Sequence, residues 1–193
     1  MQHPLTHPRR NQVSAHLGML IALGSWTMLF VAFFFNYTVI RVQAPDWFTP
    51  SIMNRSLPWA TLSSGVILSG SFVYIMSRKA MIKKQVDASK MFLRLSIWLG
   101  LLFFCLQAFL WVKMVNMGMG YTRSQANALF YVLTGVHGAH ILGALGSLIW
   151  LYQQICSGKV HGSNILGHDL VGAFWHFLAG VWIIMYGVLF FIR

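Results

Sequence analysis

The chain has 193 residues, 57% of them hydrophobic and only 9% charged, whereas a soluble domain carries about 25% charged residues. Fourteen Lys and Arg against three acids give a formal charge of +11. The cations flank long apolar runs instead of forming one basic patch, so neither a soluble enzyme nor a nucleic-acid-binding domain fits.

Crossing about 30 Å of hydrocarbon at about 1.5 Å per residue needs about 20 apolar residues. Five runs meet that length: Leu17–Ile40, Leu57–Ser77, Phe92–Val112, Ala126–Tyr152 and Leu170–Ile192. The expected fold is all-α, a polytopic membrane bundle of five transmembrane helices. Residues 1–16 form a short cytoplasmic segment, and residues 17–193 form one transmembrane domain with short loops.

Arg9 and Arg10 before the first run give it the look of a signal peptide. It is too long for that, and Phe33 to Tyr37 offers no small-residue cleavage site, so it reads as a retained helix. Trp47, in the following loop, suits a membrane interface. All five prolines lie at or before Pro58, at the start of the second run, so the last three helices are expected to be unbroken.

With five spans, nine cations fall on the amino-terminal side: Arg9, Arg10, Lys159 and the six between Arg78 and Arg94. Arg41, Arg55, Lys113, Arg123 and Arg193 fall on the other side. The positive-inside rule then places the amino terminus in the cytoplasm and the carboxyl terminus in the periplasm. The basic Arg78–Arg94 loop faces anionic headgroups as a solvated juxtamembrane loop. Trp111 and Tyr121, around the loop after the third run, suit the outer interface.

Cys105 lies in mid-span and Cys156 in the loop before the fifth run, so neither a disulfide nor a thiolate metal site is expected. No run carries a mid-span carboxylate, Lys or Arg, and the halves do not repeat, which argues against a carrier and against a proton path through this chain. Small residues recur every four positions as Gly135, Ala139 and Gly143, around His176 as Gly172 and Gly180, and in the second run as Gly65 and Ser69. In a membrane such stripes let helices approach closely, so helix packing is expected there.

The polar side chains that stand out are His137, His140 and His176, each inside an apolar run. A polar group in hydrocarbon is costly unless it faces protein, so they are expected to face the bundle interior or a partner. His137 and His140, three apart, share a helix face. A haem between the fourth and fifth helices would need histidines at matching depth. Counting residues puts His140 roughly 18 Å and His176 roughly 9 Å from the cytoplasmic end, which disfavours it. Structural histidines, lipid or subunit contacts and a metal or haem site stay open as readings. Asp169, beside His168, opens the fifth run. It reads as a helix-dipole cap worth roughly 0.3–1 kcal/mol, or as an anchor for Tyr152, Arg94 or His176.

The segment Phe130 to Gly143 (FYVLTGVHGAHILG), followed by Phe174 to Phe177 (FWHF) and Val181-Trp182, resembles subunit III of the haem–copper respiratory oxidases. Gly18-Met19 with Ser25, Leu57-Pro58 with Thr61, and Gly100 to Phe103 with Gln107 are weaker matches along the rest of the chain. Only residues 1–15 fall outside the resemblance. It implies the five-helix bacterial form, lacking two leading helices, in the bacterial inner membrane. It also implies an accessory, non-catalytic subunit that binds phospholipid and braces catalytic subunit I, alongside subunit II. Haem and copper would then sit in those partners, with no cofactor or metal in this chain. His137, His140, Asp169, Trp175 and His176 would form an intramembrane polar cluster or lipid contact.

The chain departs from the family at acidic positions. Trp26 stands where a Glu is common, Leu110 and Ala179 replace acids, and Asp169 stands where Glu is usual. Each mid-span acid removed lowers the insertion cost by up to ~2.5–3.5 kcal/mol. An accessory subunit of a nitric oxide reductase is a close alternative, since lost acids would be less surprising there. A membrane cytochrome b liganded by His137, His140 and His176, and a small transporter, are rivals of other classes.

Overall fold

A computed structural model describes residues 8–43, 50–121, 124–158 and 165–190. They form five helices: α1 (Pro8–Gln43), α2 (Pro50–Ile82), α3 (Val86–Asn116), α4 (Gln125–Cys156) and α5 (Leu166–Phe190). All five are long and apolar enough to cross a membrane. Trp47, Lys159, Arg123 and Arg193, and the side chains of Arg9, Arg10 and Arg41, lie outside what is described.

Helices α1 to α4 overrun their expected apolar runs at both ends and α5 at its amino end, because closing backbone hydrogen bonds remains favourable after hydrocarbon gives way to headgroups. Two consequences follow. Pro58 lies inside α2 rather than at its start, where it removes one backbone bond. Arg78 is helical, so its side chain is aimed by α2 instead of drifting in a loop. Cys156 is likewise the last residue of α4 rather than a loop residue, and both cysteines are free and exposed. Gly118 (φ 94°) and Gly158 (φ 69°) follow the last turns of α3 and α4, in the left-handed conformation that ends a helix most cheaply in glycine. At its other end, α4 is capped by Ser124, whose side chain accepts from the Asn127 N–H at 3.1 Å.

Helices α2, α3, α4 and α5 form a ring in which each packs on two neighbours, and α2 with α3 is the most extensive pair. On that seam α2 presents Ser56, Ser63, Gly70 and Ser77, and α3 presents Ser89, Ser96, Phe103 and Leu110, all buried. Both sets repeat every seven residues, the spacing that keeps one stripe facing a partner helix in a left-handed supercoil. Helix α1 stands outside the ring and packs only on α4 and α5. It does so through an aromatic stripe of Trp26, Phe30, Phe33, Phe34 and Tyr37, while Leu17, Leu20, Ile21, Met28 and Phe35 are exposed on its other faces.

Within the chain, much of the small-residue stripes meets no neighbouring helix. A methyl group at Gly143, Gly180 or Gly65 would meet nothing within 4 Å, and Gly143, Ala139, Gly180, Gly65 and Ser69 are exposed. Gly135 makes only an ordinary 3.6 Å approach to Trp111. Period four identifies a stripe but not its direction, and here much of it points out of the bundle. Gly172 does pack: a Cβ there would lie 2.7 Å from the ring of Tyr74. Gly100, which the spacing does not single out, would place a Cβ 2.7 Å from Leu145 and 2.8 Å from Trp175.

Candidate functional site, a polar ladder inside the bundle

Trp175 is wholly buried and reaches from α5 to Gly70 on α2 and Gly100 on α3, so it fills the centre of the ring. That position is interior, not lipid-facing. A Cβ at Gly100 would lie 2.8 Å from the indole, whereas one at Gly70 would make an ordinary 3.4 Å contact.

Around this plug, α2 and α5 are joined by hydrogen bonds along their length. Arg78 Nε donates to Asp169 Oδ1 at 2.6 Å. The Tyr74 hydroxyl donates to the His168 carbonyl at 2.7 Å, and Ser71 shares a 2.5 Å bond with His176 Nδ1. The Trp182 indole N–H donates to Ser64 at 2.9 Å, and Thr61 meets the Tyr186 hydroxyl at 2.7 Å. From first to last rung, α2 runs down from 78 to 61 and α5 runs up from 169 to 186, 17 positions each way. That is about 26 Å at the helical rise, close to the thickness of the hydrocarbon core.

The opposite edge of α2 bonds α3 in the same manner. Ser77 donates to the Ser89 carbonyl at 2.9 Å, Ser96 to the Gly70 carbonyl at 3.0 Å, and Gln107 to Ser63 at 2.8 Å. Such bonds are each worth about 0.6 kcal/mol in a bilayer, and their geometry fixes helix register. Helix α2 is therefore the hub of the polar interior, although none of its residues stood out among the candidates. Its hydroxyls at Thr61, Ser64, Ser71 and Tyr74 were the available signal, since they follow one heptad-like stripe.

The candidate residues separate among three seams. His176 is turned to α2. His140, whose Nδ1–H donates to the Val136 carbonyl at 2.7 Å, is turned to α1, with its ring 5.3 Å from Trp26 and 5.6 Å from Phe30. His137 is 1% exposed and lies among Trp182, Phe30 and Phe103 at 5.7, 6.1 and 6.3 Å. His140 and His176 thus bond and pack toward different helices. Among the described residues no three His, Cys, Asp or Glu converge as a metal would require.

Asp169 occupies the first turn of α5, but its partner is Arg78, not Tyr152, Arg94 or His176. His168, next to it, is fully buried, and neither of its ring nitrogens has a partner among the described residues; the same holds for His137. Leaving a buried polar group unpaired costs about 1–3 kcal/mol.

The arrangement is a cross-braced membrane bundle, and sequence comparison gives its lineage. The family profile described as cytochrome c oxidase subunit III matches residues 5–193. The chain belongs to the cytochrome c oxidase subunit III family. The match reaches into residues 5–15, which were expected to fall outside it. A probable cytochrome c oxidase subunit 3 of Nocardia farcinica is 28% identical over 191 residues, covering 99% of this chain and 92% of that protein. The protein of the same description from Mycobacterium tuberculosis strain H37Rv gives the same figures. Cytochrome c oxidase subunit 3 of Alkalihalophilus pseudofirmus is 25% identical over 189 residues, covering 96% of this chain and 91% of that protein. The FYVLTGVHGAHILG and FWHF segments of this subunit III member lie on α4 and α5, the helices that receive α1.

Proposed function

We infer that this chain is an accessory, non-catalytic integral subunit of a bacterial haem–copper terminal oxidase, bracing catalytic subunit I beside subunit II. It contributes no redox centre; haem and copper belong to those partners, which reduce oxygen and pump protons. The observation that carries this reading is the α2–α5 ladder. The interior polar groups are spent chiefly on holding the chain's own helices in register. What remains for the outside is apolar, chiefly the exposed faces of α1 and α3, as suits a subunit that offers packing surface and phospholipid contact.

The charge distribution supports a cytoplasmic amino terminus, a periplasmic carboxyl terminus and an inner-membrane location. Lys79, Lys83 and Lys84 are exposed at the turn between α2 and α3, placed for anionic headgroups.

Purification in mild detergent tests the proposal. The chain should co-purify with a larger subunit carrying haem and copper, and alone it should show no stoichiometric Soret band. A Soret band on the isolated chain that disappears in His176→Ala would overturn it in favour of a cytochrome b. Saturable flux through liposomes holding only this chain would do so in favour of a transporter.

A second reading, an accessory subunit of a nitric oxide reductase, is favoured by Trp26. That indole packs on His140 and Phe174 where an acid is common in the family. Haem and non-haem iron without copper in the co-purifying core would decide for it.

A further inference from the structure

Beside the central plug, α3, α4 and α5 enclose a cavity of about 40 Å³ lined by Phe103, Gln107, Trp111, Thr134, His137 and Trp182, among others. Most of its wall is aromatic, yet its polar groups are unusual. His137 is buried with both ring nitrogens lacking a protein partner among the described residues, and the Trp111 indole N–H is in the same condition.

A neutral imidazole has one N–H donor and one bare nitrogen acceptor, on opposite sides of the ring. Whatever satisfies His137 must therefore both accept and donate. Its ring neighbours, Phe30, Phe103 and Trp182, cannot do this, since the Trp182 N–H is already given to Ser64. Thr134 gives its hydroxyl hydrogen to the Phe130 carbonyl at 2.7 Å, so it faces the cavity as an acceptor. The Trp111 indole can only donate. An apolar gas would fit the space but leave the His137 ring nitrogens and the Trp111 N–H unpaired.

We propose that this cavity is a built site for ordered water, bound by His137 through its ring nitrogens and completed by Thr134 and Trp111. One water needs about 10–15 Å³ of such space and two to four polar partners. The cavity therefore has room for a short hydrogen-bonded cluster. This makes His137 a water-binding residue that ties α4 to α3 and α5 through solvent, where α2 ties its neighbours directly.

The test is solid-state NMR of the full chain, labelled with ¹⁵N and ¹³C, in lipid bilayers. His137 is assigned through its backbone connections to Val136 and Gly138. Magnetisation should pass from water to the His137 ring, and both ring nitrogens should show hydrogen-bonded shifts. Thr134→Val, which removes one acceptor and keeps the ring, should slow that transfer. No transfer to His137 while exposed His16 receives it, or ring nitrogens at non-bonded shifts, would overturn the proposal. So would a transfer rate in Thr134→Val equal to that of the parent chain.

Discussion

Arg78 and Asp169 are 91 positions apart in sequence and meet at 2.6 Å, α2 to α5, at the end of the bundle where the basic residues gather. Their side chains are 41% and 25% exposed, so water screens the pair and its worth is near the surface range rather than the buried one. A double-mutant cycle of Arg78→Met with Asp169→Asn, read by thermal unfolding in detergent, should give a coupling of about 0.5–1 kcal/mol. Added salt should diminish it. Strict additivity of the two substitutions would show that the contact holds nothing together.

The next rung differs, because the Tyr74 hydroxyl is buried and its acceptor is a backbone carbonyl in the first turn of α5. Tyr74→Phe removes the donor and keeps the ring that packs 5.6 Å from His176. Destabilisation of about 1 kcal/mol is expected, the carbonyl of His168 keeping only its bond within α5. The amide carbonyl stretch of His168, isotope-labelled at that carbon, should shift up to that of a helical carbonyl holding one bond in place of two. An unmoved band would mean that the bond does not form in the membrane.

The five helices were legible because hydrocarbon imposes a length and a composition that nothing else in the chain imitates. Their ends were not, since polar residues such as Arg78 and Asn116 stay helical beyond the apolar core. That shortfall hid the Arg78–Asp169 pair: with Arg78 read as loop, Tyr152, Arg94 and His176 stood as the partners for Asp169. The interior placement of His137 followed from the cost of a polar group in lipid, and it is buried. Serines gave less warning, because one hydroxyl in a helix usually bonds its own backbone, as Ser25 does with Ile21 at 3.0 Å. Ser64 does the same with Ala60 at 2.8 Å while accepting from Trp182 of α5, and Ser71 pairs with His176, so the stripe they share says more than either serine alone.

Trp26 anchors α1 by lying 4.7 Å from Phe174 and edge-on to His140. Aromatic pairs of this kind add about 0.5–1.5 kcal/mol beyond buried area. Trp26→Glu should therefore loosen α1, seen as faster cleavage of the chain between α1 and α2 by added protease. It should also leave the proton-to-electron ratio of the purified complex unchanged, because a carboxylate beside His140 has no chain of acids to continue it. A changed ratio would mean that the position alone can feed a proton path.

Two glycines separate packing inside the chain from packing against a partner. At Gly100 a methyl group would sit 2.7 Å from Leu145 and 2.8 Å from Trp175, both of them buried. Gly100→Ala should cost about 1–3 kcal/mol through overpacking, outweighing the ~1 kcal/mol that alanine gains over glycine in a helix. At Gly143 the same methyl meets nothing within 4 Å, so Gly143→Ala should stabilise the isolated chain slightly. Gly143→Leu should likewise leave the melting temperature of the chain alone nearly unchanged. If this face of α4 receives the catalytic subunit, native gels of Gly143→Leu membranes should lose this chain from the haem-containing band while the chain itself stays folded. A lowered melting temperature for the isolated Gly143→Leu chain would instead return Gly143 to the bundle's own packing.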